Sequence, residues 1–122
     1  MRLKKVKGAL EKVENSRYYV QNPEVNIGKW SETFNNNNPI EIEIGMGKGN
    51  FIIEKAKRNP NINYIGIEMY DSVLVRAVET LEKEEIFLPN LKLLLFDARN
   101  IEEIFDKEIE KIYLNFSDPW PK

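Results

Sequence analysis

The chain of 122 residues contains no cysteine and no histidine. Without cysteine there is neither a disulfide frame nor a thiolate metal site. Without histidine, Ser-His and Cys-His catalysis are excluded, together with the commonest general base and most transition-metal sites. Long apolar runs are missing as well. None approaches the roughly 20 residues of a membrane span, and the N-terminus lacks the apolar core of a signal peptide. The expectation is a cytoplasmic protein with no metal and no membrane contact. What remains is ordinary globular material: 42% hydrophobic and 31% charged residues, enough for one domain with a modest core. The net charge of −2 argues against wholesale coating of nucleic acid, but it hides an asymmetry. Arg2, Lys4, Lys5, Lys7 and Lys12 crowd the start, opposed there only by Glu11. Such an arm either contacts phosphate backbone or is a solvated terminus.

The most informative stretch is Glu41-Ile42-Glu43-Ile44-Gly45-Met46-Gly47-Lys48-Gly49-Asn50-Phe51, a hydrophobic strand running into a glycine-rich turn. A dinucleotide fingerprint wants glycines at the first, third and sixth positions, and the sixth here is Asn50. A phosphate loop wants Gly-Lys followed by Ser or Thr, and Lys48 is followed by Gly49. The pattern left, acid-x-Gly-x-Gly-x-Gly, resembles motif I of S-adenosylmethionine (SAM)-dependent methyltransferases. Glycine lets a ligand approach backbone with no Cβ in the way, and a carboxylate such as Glu43 suits the positive charge of a sulfonium and an amino-acid tail. The plainer alternative is a tight strand-to-helix turn that needs glycine for packing.

Met1 to about Phe34 has no clear period, with Trp30 and Phe34 expected to pack onto the body near the start of the sheet. The run Asn35 to Asn38 reads as a turn closed by Pro39, or as compositional bias. Strands and helices then alternate. Ile40 to Ile44 is a strand and Lys48 to Arg58 a helix, with Phe51, Ile52 and Ala56 on its buried side. Tyr64 to Glu68 is a second strand, and Asp71 to Glu85 a helix with Val75, Val78 and Leu81 at helical spacing. The largely apolar Leu91 to Phe96 is a third strand, Ile101 to Phe105 a short helix, and Ile109 to Phe116 a fourth strand. Residues 1–34 form an arm and lead-in, and 35–122 a partial α/β domain. Alternation of this kind implies a parallel sheet, whose ligands bind beyond the C-terminal ends of the strands.

That rule brings Gly45, Glu68, Asp97 and the segment Asn115 to Asp118 to one rim. Glu68, about twenty residues beyond the glycine turn, can accept bonds from both ribose hydroxyls of an adenosine. Asp97, followed by the small Ala98, can accept from an adenine amino group, or serve as a helix cap. Pro119 and Pro121 hold Asp118 and Trp120 extended, a stiff presentation of an acid beside a large aromatic that suits a flat base; Trp120 capping the core is the alternative.

Glu-Ile-Gly-x-Gly-Lys-Gly-x-Phe, Tyr-Ile-Gly-Ile-Glu, Asp-Ala and Tyr-Leu-Asn-Phe-x-Asp-Pro-Trp-Pro-Lys together resemble the bacterial tRNA (guanine-N7-)-methyltransferase family across essentially the whole chain. The basic arm and Gly28-Lys29-Trp30 are similar to that family as well. The resemblance implies a Rossmann-like SAM-dependent methyltransferase fold, with SAM as cofactor and tRNA as partner. It places Glu43, Gly45, Gly47, Gly49, Glu68, Asp97, Ala98 and Asn115 at the SAM site. Asp118 would act at the junction of cofactor and base as the catalytic residue, with Asp118, Trp120 and Lys122 meeting the substrate. The implied reaction moves the SAM methyl to N7 of a guanine in the tRNA variable loop. Ser117 stands where the family usually has proline. The family also continues past Lys122 with further strands, so the sheet is expected to lack its C-terminal strands and expose an edge open to self-association. Three other readings stay open: an amino-methyltransferase acting on another base, a SAM- or partner-binding module without turnover, and a nicotinamide oxidoreductase, which Asn50 disfavours.

Overall fold

The computed structural model describes residues 8–115. Gly8, in the left-handed region, opens helix α1, Ala9–Glu14, which buries Ala9 and Val13. A 3-10 turn follows at Pro23–Asn26 and a short helix α2 at Trp30–Phe34. The α/β core then runs β1 (Ile40–Ile44), α3 (Asn50–Arg58), β2 (Asn63–Glu68), α4 (Asp71–Glu82), β3 (Leu91–Leu95), a 3-10 turn (Ala98–Glu103) and β4 (Ile109–Leu114). All strand pairs are parallel, in the order β3-β2-β1-β4. The chain moves outward from β1 through β2 to β3 and then crosses to β4 on the far side of β1. The direction of winding therefore reverses between β1 and β4, and in open α/β sheets ligands bind outside the strand ends at such a reversal.

Side-chain alternation along the strands builds two cores. Ile40, Ile42, Ile65, Ile67 and Leu94 face one side and pack with Trp30, Phe34, Ile104 and Phe105. Tyr64, Leu91 and Leu93 face the other, against Val13 of α1, Ile52, Ile53 and Ala56 of α3, and Leu74, Val75, Val78 and Leu81 of α4. Every residue of β2 is buried, as a central strand covered on both faces requires. Phe51, expected on the buried side of α3, is instead 38% exposed, with its ring edge-on to Tyr113 at 5.0 Å. Ile53 takes its place inside, so that Ile52, Ile53 and Ala56 form the buried face of α3.

The lead-in, which shows no period in sequence, is part of the body. Tyr18 O accepts from Leu93 N at 2.8 Å and Val20 N donates to Leu93 O at 3.0 Å, so this segment covers the outer edge of β3. Trp30 is fully buried and its indole N–H donates to Ile104 O at 2.7 Å. The Glu108 carboxylate accepts from the backbone N–H groups of Gly28, Trp30 and Asp106, binding the Gly28-Lys29-Trp30 turn to the start of β4. The asparagine run is specific rather than a compositional accident. Asn35, at φ 61°, closes α2, while Asn36 Oδ1 accepts from Asn38 N at 2.9 Å and from the Asn63 side chain at 2.7 Å.

Other boundaries shift for local reasons. The fourth helix ends at Glu82, not Glu85, where Lys83 N and Glu84 N bond back three residues and tighten the last turn. In place of a helix over Ile101–Phe105, a 3-10 turn starts at Ala98, because Asp97 caps it through Arg99 N. At the opposite edge β4 pairs with β1 on one side and with no strand on the other among the described residues, and Ile112 and Leu114 are 53% and 63% exposed. Among the described residues the outer edge of β4 is therefore open, as expected.

One buried polar group anchors the lower end of the sheet. The Asn90 amide donates to the carbonyls of Ala56, Asn59 and Ile62 at 3.0, 3.1 and 3.0 Å. Asn90→Ala removes this shared donor, while Asn59 O keeps its bond from Ile62 N at 3.1 Å, and is expected to cost about 2 kcal/mol. The check is a lowered urea midpoint at unchanged slope; an unchanged midpoint would contradict the assignment.

Candidate functional site

The turn after β1 is held in a conformation closed to most residues. Gly45, Gly47 and Gly49 have φ of 74°, 60° and 83°. Gly45 N and Met46 N donate to Ile67 O at 2.9 and 3.1 Å, tying the start of the turn to β2. Met46, between the first two glycines, points inward and is buried. A Cβ on Gly66 of β2 would lie 2.5 Å from Met46 Sδ, so the glycine of Tyr-Ile-Gly-Ile-Glu is the slot that receives the Met46 side chain. A Cβ on Gly49 would meet Ala77 Cβ at 2.9 Å, which also brings α3 against α4. Sequence reasoning misses Met46 and Gly66; the signal for both is a glycine within an otherwise apolar central strand.

Glu68 ends β2 beneath this turn. Its Oε1 accepts from Gly47 N at 3.0 Å, and its Oε2 from Met69 N and Tyr70 N at 3.0 and 3.2 Å. Three of the four or so lone-pair positions of a carboxylate are thereby filled from backbone. As the side chain stands, Glu68 organises the turn and retains room for one further donor, fewer than a bond to each ribose hydroxyl would use.

Glu43 is different. It is 1% exposed, and its Oε1 has no hydrogen-bond partner among the described residues. Burial is the main cause that pushes its carboxyl up to about 7; the Asn115 side chain opposes this and the negative Glu68 reinforces it. Its register neighbours are Gly66 on β2 and Tyr113 on β4. It therefore sits at the winding reversal, inside the sheet end. A buried carboxylate oxygen left unpaired is costly, so this position is better suited to a bound cation than to the ligand-free protein.

Asp97 and Ala98 lie on the same rim, after β3. The Asp97 carboxylate is engaged by Arg99: Oδ1 accepts from Arg99 N at 3.0 Å, and Oδ2 from Arg99 Nη2 at 2.6 Å. Arg99 holds the Asp97 carboxyl below its ordinary value. Asp97 thus acts as a turn cap in this structure, and an amino donor would have to share it with Arg99. Asn115, exposed after β4, completes the described part of the rim. Asp118, Trp120 and Lys122, and the arm residues Arg2, Lys4, Lys5 and Lys7, lie outside the described residues.

The family model described as "Putative methyltransferase" matches residues 37–122. Over its whole length the chain is 57% identical to the tRNA (guanine-N(7)-)-methyltransferase of Lachnoclostridium phytofermentans, covering 56% of that protein. It is 56% identical to the protein of that name from Geobacillus sp. strain WCH70, again covering 56%. The chain thus spans about half the length of the curated relatives it matches. Among solved structures, an antibiotic-related methyltransferase superposes with a TM-score of 0.62 at 23% identity, over 77% of this chain and 47% of that one. The antibiotic-resistance methyltransferase Kmr gives 0.58 at 21%, over 70% and 46%. At these identities the likeness establishes the fold, a methyltransferase-type α/β sheet.

Gly49→Ala tests the cradle. The left-handed φ costs about 1–2 kcal/mol for a residue with a Cβ, and the contact with Ala77 adds about 1–3 kcal/mol of overpacking. The variant is expected to lose about 3 kcal/mol of unfolding free energy. A loss below about 1 kcal/mol would mean that the turn is not held as described.

Proposed function

The chain belongs to the family described as "Putative methyltransferase", and on that premise we propose that its rim site forms the cofactor half of a SAM-dependent tRNA (guanine-N7-)-methyltransferase. The observation that carries this reading is Glu43: a fully buried carboxylate with an unpartnered oxygen, at the winding reversal beside a turn of three left-handed glycines. A site of that kind suits a ligand that carries positive charge and approaches backbone closely, and it offers nothing of a phosphate loop. The whole-length likeness to two proteins named tRNA (guanine-N(7)-)-methyltransferase supports the choice of substrate.

In this reading Glu43 faces the cationic part of the cofactor, and the turn of Gly45, Gly47 and Gly49 runs along it. Glu68 fixes the turn and gives its remaining lone pair to a ribose hydroxyl, while Asp97 and Ala98 flank the adenine and Asn115 lines the side next to β4. When bound, SAM supplies an electrophilic methyl group on a sulfonium sulfur. Guanine N7 already has a free lone pair, so the chain need not remove a proton before attack, which fits a sequence without histidine. Positioning and electrostatics can then supply the catalysis. Asp118 orients the guanine and offsets the positive charge that develops on its ring, Trp120 stacks on the base, and Lys122 contacts the substrate backbone. The partner is tRNA and the compartment the cytoplasm. Among the described residues no helix is long and apolar enough to cross a membrane.

Calorimetric titration of the chain with SAM is expected to show binding, no binding with NAD, and at least tenfold weaker SAM binding in a folded Glu68→Ala variant. Transfer of labelled methyl to tRNA, mapped to the modified base, tests the substrate. Preference for NAD would overturn the cofactor; label on an exocyclic amine would favour an amino-methyltransferase; and SAM binding without any transfer to tRNA would reduce the chain to a binding module.

A further inference from the structure

Two carboxylates stand at the ends of adjacent strands, and their surroundings differ. Glu68 accepts three backbone N–H bonds, from Gly47, Met69 and Tyr70. Glu43 is more deeply buried and has an oxygen with no partner among the described residues; burial raises its carboxyl most, the Asn115 side chain opposes this, and the negative Glu68 reinforces it. Resting on the SAM reading of the site, we propose that in the free protein at mildly acidic pH Glu43 is protonated and gives up that proton to solvent when the cationic end of SAM binds.

The neighbouring groups leave Glu43 without another source of positive charge. On β4, the Tyr113 hydroxyl donates to Glu41 Oε1 at 2.9 Å, not to Glu43. Lys55 of α3 and Lys111 of β4 hold their ammonium groups 5.3 and 4.9 Å from the centre of the Tyr113 ring. Lys48 in the turn is exposed, and Asp71 opening α4 and Glu41 on β1 are themselves acidic. No ion pair reaches Glu43 among the described residues. Two adjacent carboxylates of which only one is solvated by backbone donors are most readily accommodated with the other neutral. The exchange balances: the bound cation replaces one proton on the Glu43 carboxyl, and that proton passes to buffer.

Burial pushes the ligand-free Glu43 carboxyl up to about 7. Below that value SAM binding must displace a proton, and above it no proton remains to displace. Affinity should therefore rise about tenfold from pH 6 to pH 8 and then level off. For the free protein the sign runs the other way. A carboxyl raised in the folded state contributes stability that is full at low pH and lost as the pH rises from the ordinary carboxylate range to about 7.

The test is SAM calorimetry at pH 6 in two buffers of different ionisation enthalpy, paired with thermal unfolding of the free protein and of Glu43→Gln. Close to one proton released per SAM at pH 6, near zero at pH 8, and none in Glu43→Gln is the expected result. The variant should also melt higher than the wild type at pH 8, by about 4 °C or more, with the gain vanishing toward pH 5. Normal SAM binding with no buffer dependence, or equal release in Glu43→Gln, would overturn the proton exchange and leave the cofactor reading intact. A melting difference independent of pH would overturn the neutral Glu43. Absence of SAM binding in a folded protein would overturn the cofactor reading, and this inference with it.

Discussion

The Glu68 carboxylate joins the end of β2 to the turn that follows β1, and the rest of the site is arranged around that joint. Its bond to Gly47 N reaches across to the glycine turn, while its bonds to Met69 N and Tyr70 N set the exit of its own strand toward α4. Three buried or half-buried N–H groups that would otherwise be orphaned at strand and helix ends thus share one acceptor. Charge-assisted bonds of this kind are stronger than neutral ones, so the residue holds the rim in shape before any ligand arrives.

A second constraint is steric. Three left-handed residues within five positions fold the chain back tightly enough for Met46 to enter the groove above Gly66 and for Gly49 to touch Ala77. The same contacts seat α3 and α4 on one face of the sheet. On its inner side the glycine turn therefore packs part of the hydrophobic core, and the ligand reading proposed above gives the same turn a second role.

Much of the architecture is legible in the residues themselves. The strand over Ile40–Ile44 coincides with the observed one, and the alternation of strands and helices leads to the parallel sheet that is found. Gly45, Gly47, Gly49, Glu43 and Glu68 come together at one rim, as their places at strand ends imply. In the lead-in the packing of Trp30 and Phe34 onto the body was legible, but the edge pairing at Tyr18–Val20 and the Glu108 anchor were not, because their partners lie more than seventy residues away in sequence. Such contacts leave no periodic trace. Asparagines 35 and 36 were hidden for a similar reason, since a left-handed helix cap and a side-chain bond to Asn63 look like a biased run until the chain is folded.

By itself the sequence determined the class of fold, the glycine turn and the identity of the acids at the strand ends, because local periodicity and motif spacing carry that information directly. Only the tertiary structure decided how those acids divide their roles. Glu68 is filled by backbone donors, Asp97 by Arg99, and among the described acids of the rim Glu43 alone keeps an unpaired buried oxygen. Hydrogen-bond saturation and burial depend on which neighbours the fold brings within about 3 Å, and no spacing along the chain specifies that.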